Sequence, residues 1–195
     1  NSLLEETKRF IDQVVLTDRG GLNQLLTANY TFLDATLVQH YGYGTASGGF
    51  ARATRPPDWG IGVLAQGSIL AANAQAQSSS PTQRGLLVFE KLLCNVRPEP
   101  PKIIPPLPPV MPGQKTTRDR YESQHAVGSC AFCHKQFDPI GFTFEHFDEV
   151  GRYRKDEKGL AINDAGRALT PTDEVSIEAA GQVDLAQKLA SREDV

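Results

Sequence analysis

A proline-rich segment divides this chain and limits the folds that are open to it. Eight of the 15 residues from Pro98 to Pro112 are proline. Because proline lacks a backbone N–H and fixes φ, no regular helix or inner strand can run through this segment, and a polyproline-like conformation is expected. We therefore predict a helical region over 1–97, a linker over 98–116 and a second region over 117–195. The linker is either a stiff connector or a strap that covers a binding site.

Length and composition exclude several classes of protein. The 195 residues are enough for one domain, or one domain with an extension. The chain has 20 Lys and Arg against 23 Asp and Glu, a balance that argues against a nucleic-acid binder driven by phosphate neutralisation. The longest apolar runs are a handful of residues, far short of the roughly 20 needed to span a membrane. Three cysteines are too few for a disulfide scaffold.

Hydrophobic periodicity and capping residues predict helices on both sides of the proline-rich segment. These predicted helices cover residues 3–15, 18–29, 32–41, 64–76, 81–93, 117–127 and 176–190. Thr31 is the expected cap of the third and Gly42 its expected end. Pro81 suits the first position of its helix. Residues 153–162 predict a small β-hairpin that turns at Lys158 and Gly159.

The pattern with the most specific chemistry is Cys130-x-x-Cys133-His134, which is typical of covalent haem attachment. The two thiols can add to the two vinyl groups of the porphyrin, and a two-residue spacer places them one helical turn apart. The adjacent His134 then lies beneath the iron, where its imidazole is the proximal ligand. The pattern therefore predicts one covalent haem c, held by Cys130, Cys133 and His134.

Two other chemistries use the same residue types. A thioredoxin-like redox pair requires a strand before the motif and a helix after it, whereas here a polar helix precedes it and Pro139 is expected to break the chain after it. A structural zinc site would draw on a small set of residues: Cys94, Cys130, Cys133 and either His125 or His134. The chain has no second CxxC, and adjacent Cys133 and His134 cannot easily reach one ion together. Covalent haem therefore remains the leading hypothesis.

The residues around the motif resemble a known bacterial module. Residues 125–154 read HAVGSCAFCHKQFDPIGFTFEHFDEVGRYR and resemble the DUF1588 module of large secreted proteins, found mainly in planctomycetes and myxobacteria. Residues 30–33, 40–42 and 80–94 resemble the neighbouring DUF1592 module. Together the similarities cover roughly residues 10–165, with one departure at His146, where the family usually has Asn. The resemblance implies a c-type cytochrome segment of a longer multidomain protein and no defined substrate.

The sixth ligand of the iron is left open between several side chains. No methionine follows Cys130, so a distal methionine after the motif is excluded. His40 ends a predicted helix, where it could ligate iron or cap the helix, and Met111 lies in a Met-Pro setting similar to that of many cytochromes c. His125, His146, a lysine or an open position are the remaining alternatives, and His125 is a better candidate for a hydrogen bond to a propionate or the backbone.

Charged residues that follow the motif form a second set of candidates. Asp138, Glu145 and Asp148 are expected to serve in turns and caps, to orient an imidazole N–H, or to bind Ca²⁺. Arg152 and Arg154 could pair with haem propionates through charge-assisted hydrogen bonds, or form a solvated strand face.

These inferences predict a mainly α, cytochrome c-like helical haem domain with an N-terminal helical extension, a proline-rich strap and a small β-hairpin. Its expected function is electron transfer in the periplasm or outside the cell, to a redox partner protein or to other domains of the same longer chain. A haem peroxidase or oxygenase centre is an alternative, since it requires only an open sixth position and a distal acid or base. A structural module, in which a haem or metal holds helices together, is another. Cys94 is unpaired by arithmetic, and is either buried or bonded to a cysteine elsewhere.

Overall fold

A computed structural model describes residues 1–46, 48–100, 103, 106–107, 115–169 and 176–192. Its helices within these ranges are α1 Ser2–Ile11, α2 Leu22–Thr27, α3 Ala35–Tyr41, α4 Gly67–Ala72, α5 Pro81–Lys91, α6 Thr117–His125, α7 Cys130–Phe142 and α8 Gly181–Ala190. A π-helical turn, Asp12–Thr17, continues α1, and a 3₁₀ turn, Val63–Ala65, precedes α4.

The described strands pair into four separate antiparallel sheets of two strands each. They are β1 Tyr30–Leu33 with β2 Ala51–Thr54, β3 Ala74–Gln75 with β4 Ser78–Ser79, β5 Asp156–Glu157 with β6 Leu160–Ala161, and β7 Ala165–Leu169 with β8 Ser176–Ala180. Strand β7 packs against α7. Gly166 permits this close approach, because a Cβ there would overlap the carbonyl oxygen of Pro139.

The prediction of a mainly α, cytochrome c-like domain is wrong. About 47% of the residues are helical and 16% lie in strands, and the four small sheets separate this fold from a helical haem domain. Residues 176–180 show the cause of the error. Their side chains alternate between exposed and buried, which is the period of a strand, yet small residues such as alanine also suit a helix. The helix begins only at Gly181, whose φ of +80° turns the chain out of β8.

Local capping was predicted correctly in some places and not in others. Helix α5 begins at Pro81, Gly42 ends α3 in the left-handed conformation, and the hairpin of β5 and β6 turns at Lys158 and Gly159, as expected. The cap of α5 is Ser80. Thr31 caps no helix, because it lies in β1. The cap of α3 is Asp34, whose carboxylate accepts a hydrogen bond from the Leu37 amide at 2.8 Å.

The expected chain break at Pro139 is also wrong, since α7 continues through this residue to Phe142. Helix α7 is fixed by its crossing with α5, where two glycines allow the backbones to meet. A Cβ on Gly85 would overlap the carbonyl oxygen of Phe137, and one on Gly141 would overlap that of Pro81. Because only glycine permits such an approach, the sequence holds α5 and α7 in one close register.

The main hydrophobic cluster draws on both sides of the proline-rich segment. Leu86 and Phe89 of α5 pack with Phe137 and Ile140 of α7 and with Leu185 of α8. The predicted division into 1–97, 98–116 and 117–195 stays a prediction, but the two flanking regions share this core. In the described residues, no helix combines the length and apolarity required to cross a bilayer.

Candidate functional site

The first turn of α7 presents the three residues of the CxxCH pattern. Cys130, Cys133 and His134 are each partly exposed, and both thiols are free. Cys133 packs against the edge of the main hydrophobic cluster. Beside the motif, Phe132 is 66% exposed and Val127 is 59% exposed. The thiols therefore lie next to apolar surface that the described part of the chain leaves uncovered.

Helix α6 brings a second histidine to the motif. A capping box between Thr116 and Asp119 starts α6, and buried Tyr121 anchors it. His125 is the last residue of the helix, and Gly128, with φ of +56°, lies in the short connection to α7. The rings of His125 and His134 consequently stack with centroids 3.6 Å apart and planes 29° apart.

One buried carboxylate joins the two histidines. Asp138 lies one turn after His134 on α7. Its Oδ2 is 2.6 Å from Nδ1 of His125, and both of its oxygens are 3.1 Å from Nδ1 of His134. Thr82 of α5 donates a further hydrogen bond to Oδ1 at 2.7 Å. The alternative in which Asp138 orients an imidazole thus agrees with the geometry, whereas Asp138 starts no turn.

The charge state of Asp138 decides which histidine nitrogens remain available. Burial disfavours the carboxylate, but hydrogen bonds from His125, His134 and Thr82 and the charge of His134 outweigh it and hold the pKa of Asp138 below its usual value. An ionised carboxylate only accepts hydrogen bonds, so Nδ1 of each imidazole must carry the proton. In a neutral imidazole this leaves Nε2 with a lone pair that can bind a metal.

A cavity of about 210 Å³ lies beside the two imidazoles, lined by His125, His134, Asp138, Pro139 and Phe142 among others. It adjoins a more open groove of about 540 Å³, and the two share Glu122, Pro139 and Phe142. The smaller cavity lies below the roughly 300–1,000 Å³ typical of enclosed cofactor sites. A large group bound at His134 would therefore extend into the groove or toward solvent.

Within the described residues, one group of three side chains could hold a metal ion: His125, His134 and Asp138, with ligand atoms within 4.8 Å of one another. No cysteine belongs to it, so the zinc ligand set that includes Cys94 is not assembled there. Nor does the group contain Glu145 or Asp148, the other two members of the proposed calcium set. These two carboxylates have separate partners, Ser79 and Arg154 for Glu145 and Arg152 for Asp148.

The distal ligand candidates lie in different settings. Nε2 of His40 is 3.0 Å from the carbonyl oxygen of Val150, so this side chain ties α3 to the segment after α7. His146 has its Nδ1 2.8 Å from the Arg154 carbonyl oxygen, and its ring stacks on Tyr153. Met111 lies outside the described residues. Ligation by His40 or Met111 remains a prediction.

The two arginines proposed for propionate binding already have protein partners. Arg152 is 51% exposed and pairs with Asp148 at 2.8 Å. Arg154 is more buried and pairs with Glu145 at 3.2 Å and with Glu157 at 3.3 Å. Neither side chain lines the cavity beside His134, although Lys135 does. Propionate binding by Arg152 and Arg154 stays a prediction.

Sequence reasoning missed a buried charged network behind α7. Arg84 of α5 is fully buried and donates hydrogen bonds to four backbone carbonyls, and burial lowers its pKa to about 10. Glu145 is also buried, which raises its pKa to about 7 against the opposing charges of Arg154 and Arg84. Arg84 lies in the segment 80–94 and Glu145 in the segment 125–154, both given above for the family resemblance. That resemblance was the sequence feature that pointed to both of these residues. Their partners are distant in sequence and could not be deduced from it.

Comparison with known protein families gives two matches. A family model named PSCyt3, described as a protein of unknown function (DUF1588), matches residues 61–157, and a model named PSD4, also of unknown function (DUF1592), matches residues 1–43. Residues 1–43 are therefore similar to a DUF1592 segment, and residues 61–157 are similar to a DUF1588 domain. Residues 80–94, for which the sequence predicts a resemblance to DUF1592, lie inside the DUF1588 match. Neither curated proteins nor solved structures gave a match.

The region that matches the DUF1588 model contains the whole site. Its match includes Thr82 on α5, His125 on α6 and the first turn of α7 with Cys130, Cys133 and His134. It ends with β5 at Glu157 and leaves out β7, which packs on α7. The site therefore lies within the matched region, while part of its structural support comes from the residues that follow.

Proposed function

We propose that the DUF1588 domain binds one haem c covalently and transfers electrons through it. Cys130 and Cys133 are the thioether-forming residues, and Nε2 of His134 is the proximal ligand. The observation that carries the proposal is the first turn of α7, which presents both thiols while Asp138 fixes His134 with Nε2 available. When bound, the haem supplies a one-electron Fe(III)/Fe(II) couple.

The surroundings of the motif support this assignment. Phe132 and Val127 expose apolar surface beside the thiols, which a porphyrin would cover. The open groove that adjoins the cavity beside His134 offers room that the small cavity lacks. The name of the matching family model, PSCyt3, agrees with a cytochrome-like domain.

The proposal includes a location and a partner. Covalent attachment of haem to CxxCH goes with export, so we place the domain in the periplasm or outside the cell. Its electron partner is then a redox protein or another domain of the same longer chain. His40 and Met111 remain the candidate distal ligands.

A haem-stained denaturing gel and a reduced absorption spectrum test the proposal. The chain is produced in a host that is competent in cytochrome c maturation, alongside Cys130→Ala, Cys133→Ala and the control Cys94→Ala. We expect haem to stay with the denatured wild-type chain and the Cys94 variant. Each motif variant should shift the α band or lose the covalent haem. A colourless wild-type chain from that host would refute the proposal.

A divalent metal site is the second candidate, because His125, His134 and Asp138 form a group with metal-ligand chemistry. Its geometry is less favourable. An ion bound by imidazole lies near the plane of the ring, whereas these two rings stack face to face at 3.6 Å. Titration of Zn²⁺ into the haem-free chain tests this candidate. Stoichiometric binding that is lost in His125→Phe would support it, and binding that persists in that variant would exclude it.

A further inference from the structure

We propose that the Asp138 carboxylate lowers the reduction potential of the iron through His134, and that His125 limits this effect by competing for the same carboxylate. The inference rests on the proposed function, since it concerns a haem bound at His134. Asp138 is a positioning residue here, because it acts through His134 and does not itself touch the iron.

The geometry makes Asp138 the partner of the proximal imidazole. Asp138 is only 3% exposed, and it lies four residues after His134, so both side chains share one face of α7. Nδ1 of His134 is 3.1 Å from each carboxylate oxygen. In a buried setting such a contact is weakly screened by solvent and salt.

His125 holds the stronger bond to this carboxylate. Its Nδ1 is 2.6 Å from Oδ2, half an ångström closer than that of His134. Thr82 occupies Oδ1 at 2.7 Å. Three donors thus share the two oxygens of Asp138. The negative charge that Asp138 presents to Nδ1 of His134 therefore depends on how strongly His125 and Thr82 bind the same carboxylate.

The sign of the effect follows from simple electrostatics. A carboxylate that accepts the Nδ1–H of a ligand histidine increases the basicity of that imidazole. A more basic ligand stabilises Fe(III) more than Fe(II), which lowers the potential. Reduction takes up one electron from the donor, and the proton stays on Nδ1 of His134 in both oxidation states. Loss of the carboxylate should therefore raise the potential, and loss of the competing donor should lower it.

Two variants with opposite expected shifts test the inference in the haem-loaded protein. Asp138→Asn removes the charge at nearly constant shape. His125→Phe keeps a ring against His134 but removes the competing N–H. We expect Asp138→Asn to favour Fe(II) at least tenfold, which is about 59 mV for a one-electron couple. We expect His125→Phe to shift the equilibrium at least twofold toward Fe(III).

The control is Asp119→Asn on α6. Asp119 carries a carboxylate of lowered pKa, hydrogen-bonded to Thr116, so this change also removes one negative charge from the helix that bears His125. The control leaves the hydrogen bond between His134 and Asp138 in place. The equilibrium constant between Fe(III) and Fe(II) should therefore change less than twofold. Spectroelectrochemical titration of the four proteins measures the shifts, with haem content per chain determined first.

The outcomes separate this inference from the proposed function. A wild-type chain without covalent haem refutes the proposed function itself. Covalent haem with an unchanged potential in Asp138→Asn, or with both variants shifted in the same direction, overturns the role of Asp138. If Asp138→Asn does not retain haem, the inference is tested by the reduction potential of His125→Phe alone. A potential that is unchanged or raised in that variant counts against the inference.

Discussion

Arg84 lies on α5 with only 1% of the residue exposed, and it joins α4 and α5 to the segment that follows α7. Nη1 donates to the carbonyl oxygens of Phe144 and Phe147 at 3.2 and 2.7 Å. Nη2 donates to those of Leu70 and Asp148 at 3.3 and 2.6 Å. Replacing Arg84 by methionine keeps most of the volume but removes all four of these hydrogen bonds, and within the described residues only the carbonyls of Phe144 and Asp148 keep a backbone donor beyond those of the helices. We expect a large loss of stability.

The magnitude follows from two opposing contributions. Hydrogen bonds from a charged group contribute about 1.5–3 kcal/mol each, and four of them at face value would exceed the whole stability of many domains. Against this stands the cost of burying the guanidinium, which is visible in its lowered pKa of about 10. Removal of one partner from a buried charged network typically costs about 3–5 kcal/mol. We therefore expect Arg84→Met to lower the free energy of unfolding by about 4 kcal/mol.

Urea unfolding followed by circular dichroism measures this loss, with Arg84→Lys and Arg152→Met as companions. Lysine carries a point charge and cannot span the four carbonyls, so Arg84→Lys should lose about half as much. Arg152 also faces the Asp148 region but is half exposed, and its loss should cost less than about 1 kcal/mol. A loss below about 1 kcal/mol in Arg84→Met would show that water or a relaxed backbone replaces the guanidinium, and would refute the reasoning.

Two further predictions concern the same core. Because burial raises the pKa of Glu145 from 4.5 to about 7, the folded chain keeps a proton that the unfolded chain releases between these values. The free energy of unfolding should therefore fall as the pH rises from about 4.5 to 7, and Glu145→Gln, but not Glu149→Gln, should flatten this part of the profile. Gly141→Ala should destabilise the chain by about 2 kcal/mol, because the added Cβ would overlap the Pro81 carbonyl oxygen. The Cβ added by Gly21→Ala has no atom within contact distance, so this variant should be near neutral. Equal losses in the two alanine variants would contradict the close helix crossing.

Features encoded by neighbouring residues were predictable from the sequence. Ser80 before Pro81 indicated the start of α5, Gly42 indicated the end of α3, and Lys158-Gly159 indicated a hairpin turn. Each depends on a cap or a positive φ that a few adjacent residues satisfy by themselves. The CxxCH spacing is also local and fits the first turn of α7, although none of the predicted helices covers residues 130–142.

Features that depend on tertiary packing were not predictable in the same way. The alternation of β8 is short and rich in alanine, which also favours a helix, and only the pairing of β8 with β7 decides between the two. A contact between Asp138 and His134 requires a continuous helix, whereas the sequence predicts that the chain breaks at Pro139. In a continuous α7 the spacing from His134 to Asp138 is one turn, and their contact follows directly.

The crossing of α5 and α7 links the fold to the chemistry of the site. Gly85 and Gly141 let the two helices approach closely, and the same contact brings Thr82, one turn before Gly85, to Asp138. Of the three donors to the Asp138 carboxylate, Thr82 is therefore positioned by a glycine contact, whereas His125 and His134 lie at the CxxCH motif. A substitution that separates the helices should release this carboxylate from Thr82 as well as destabilise the chain. Gly141→Ala in the haem-loaded protein should consequently lower the potential, in the same direction as His125→Phe, because His134 then shares Asp138 with one donor fewer.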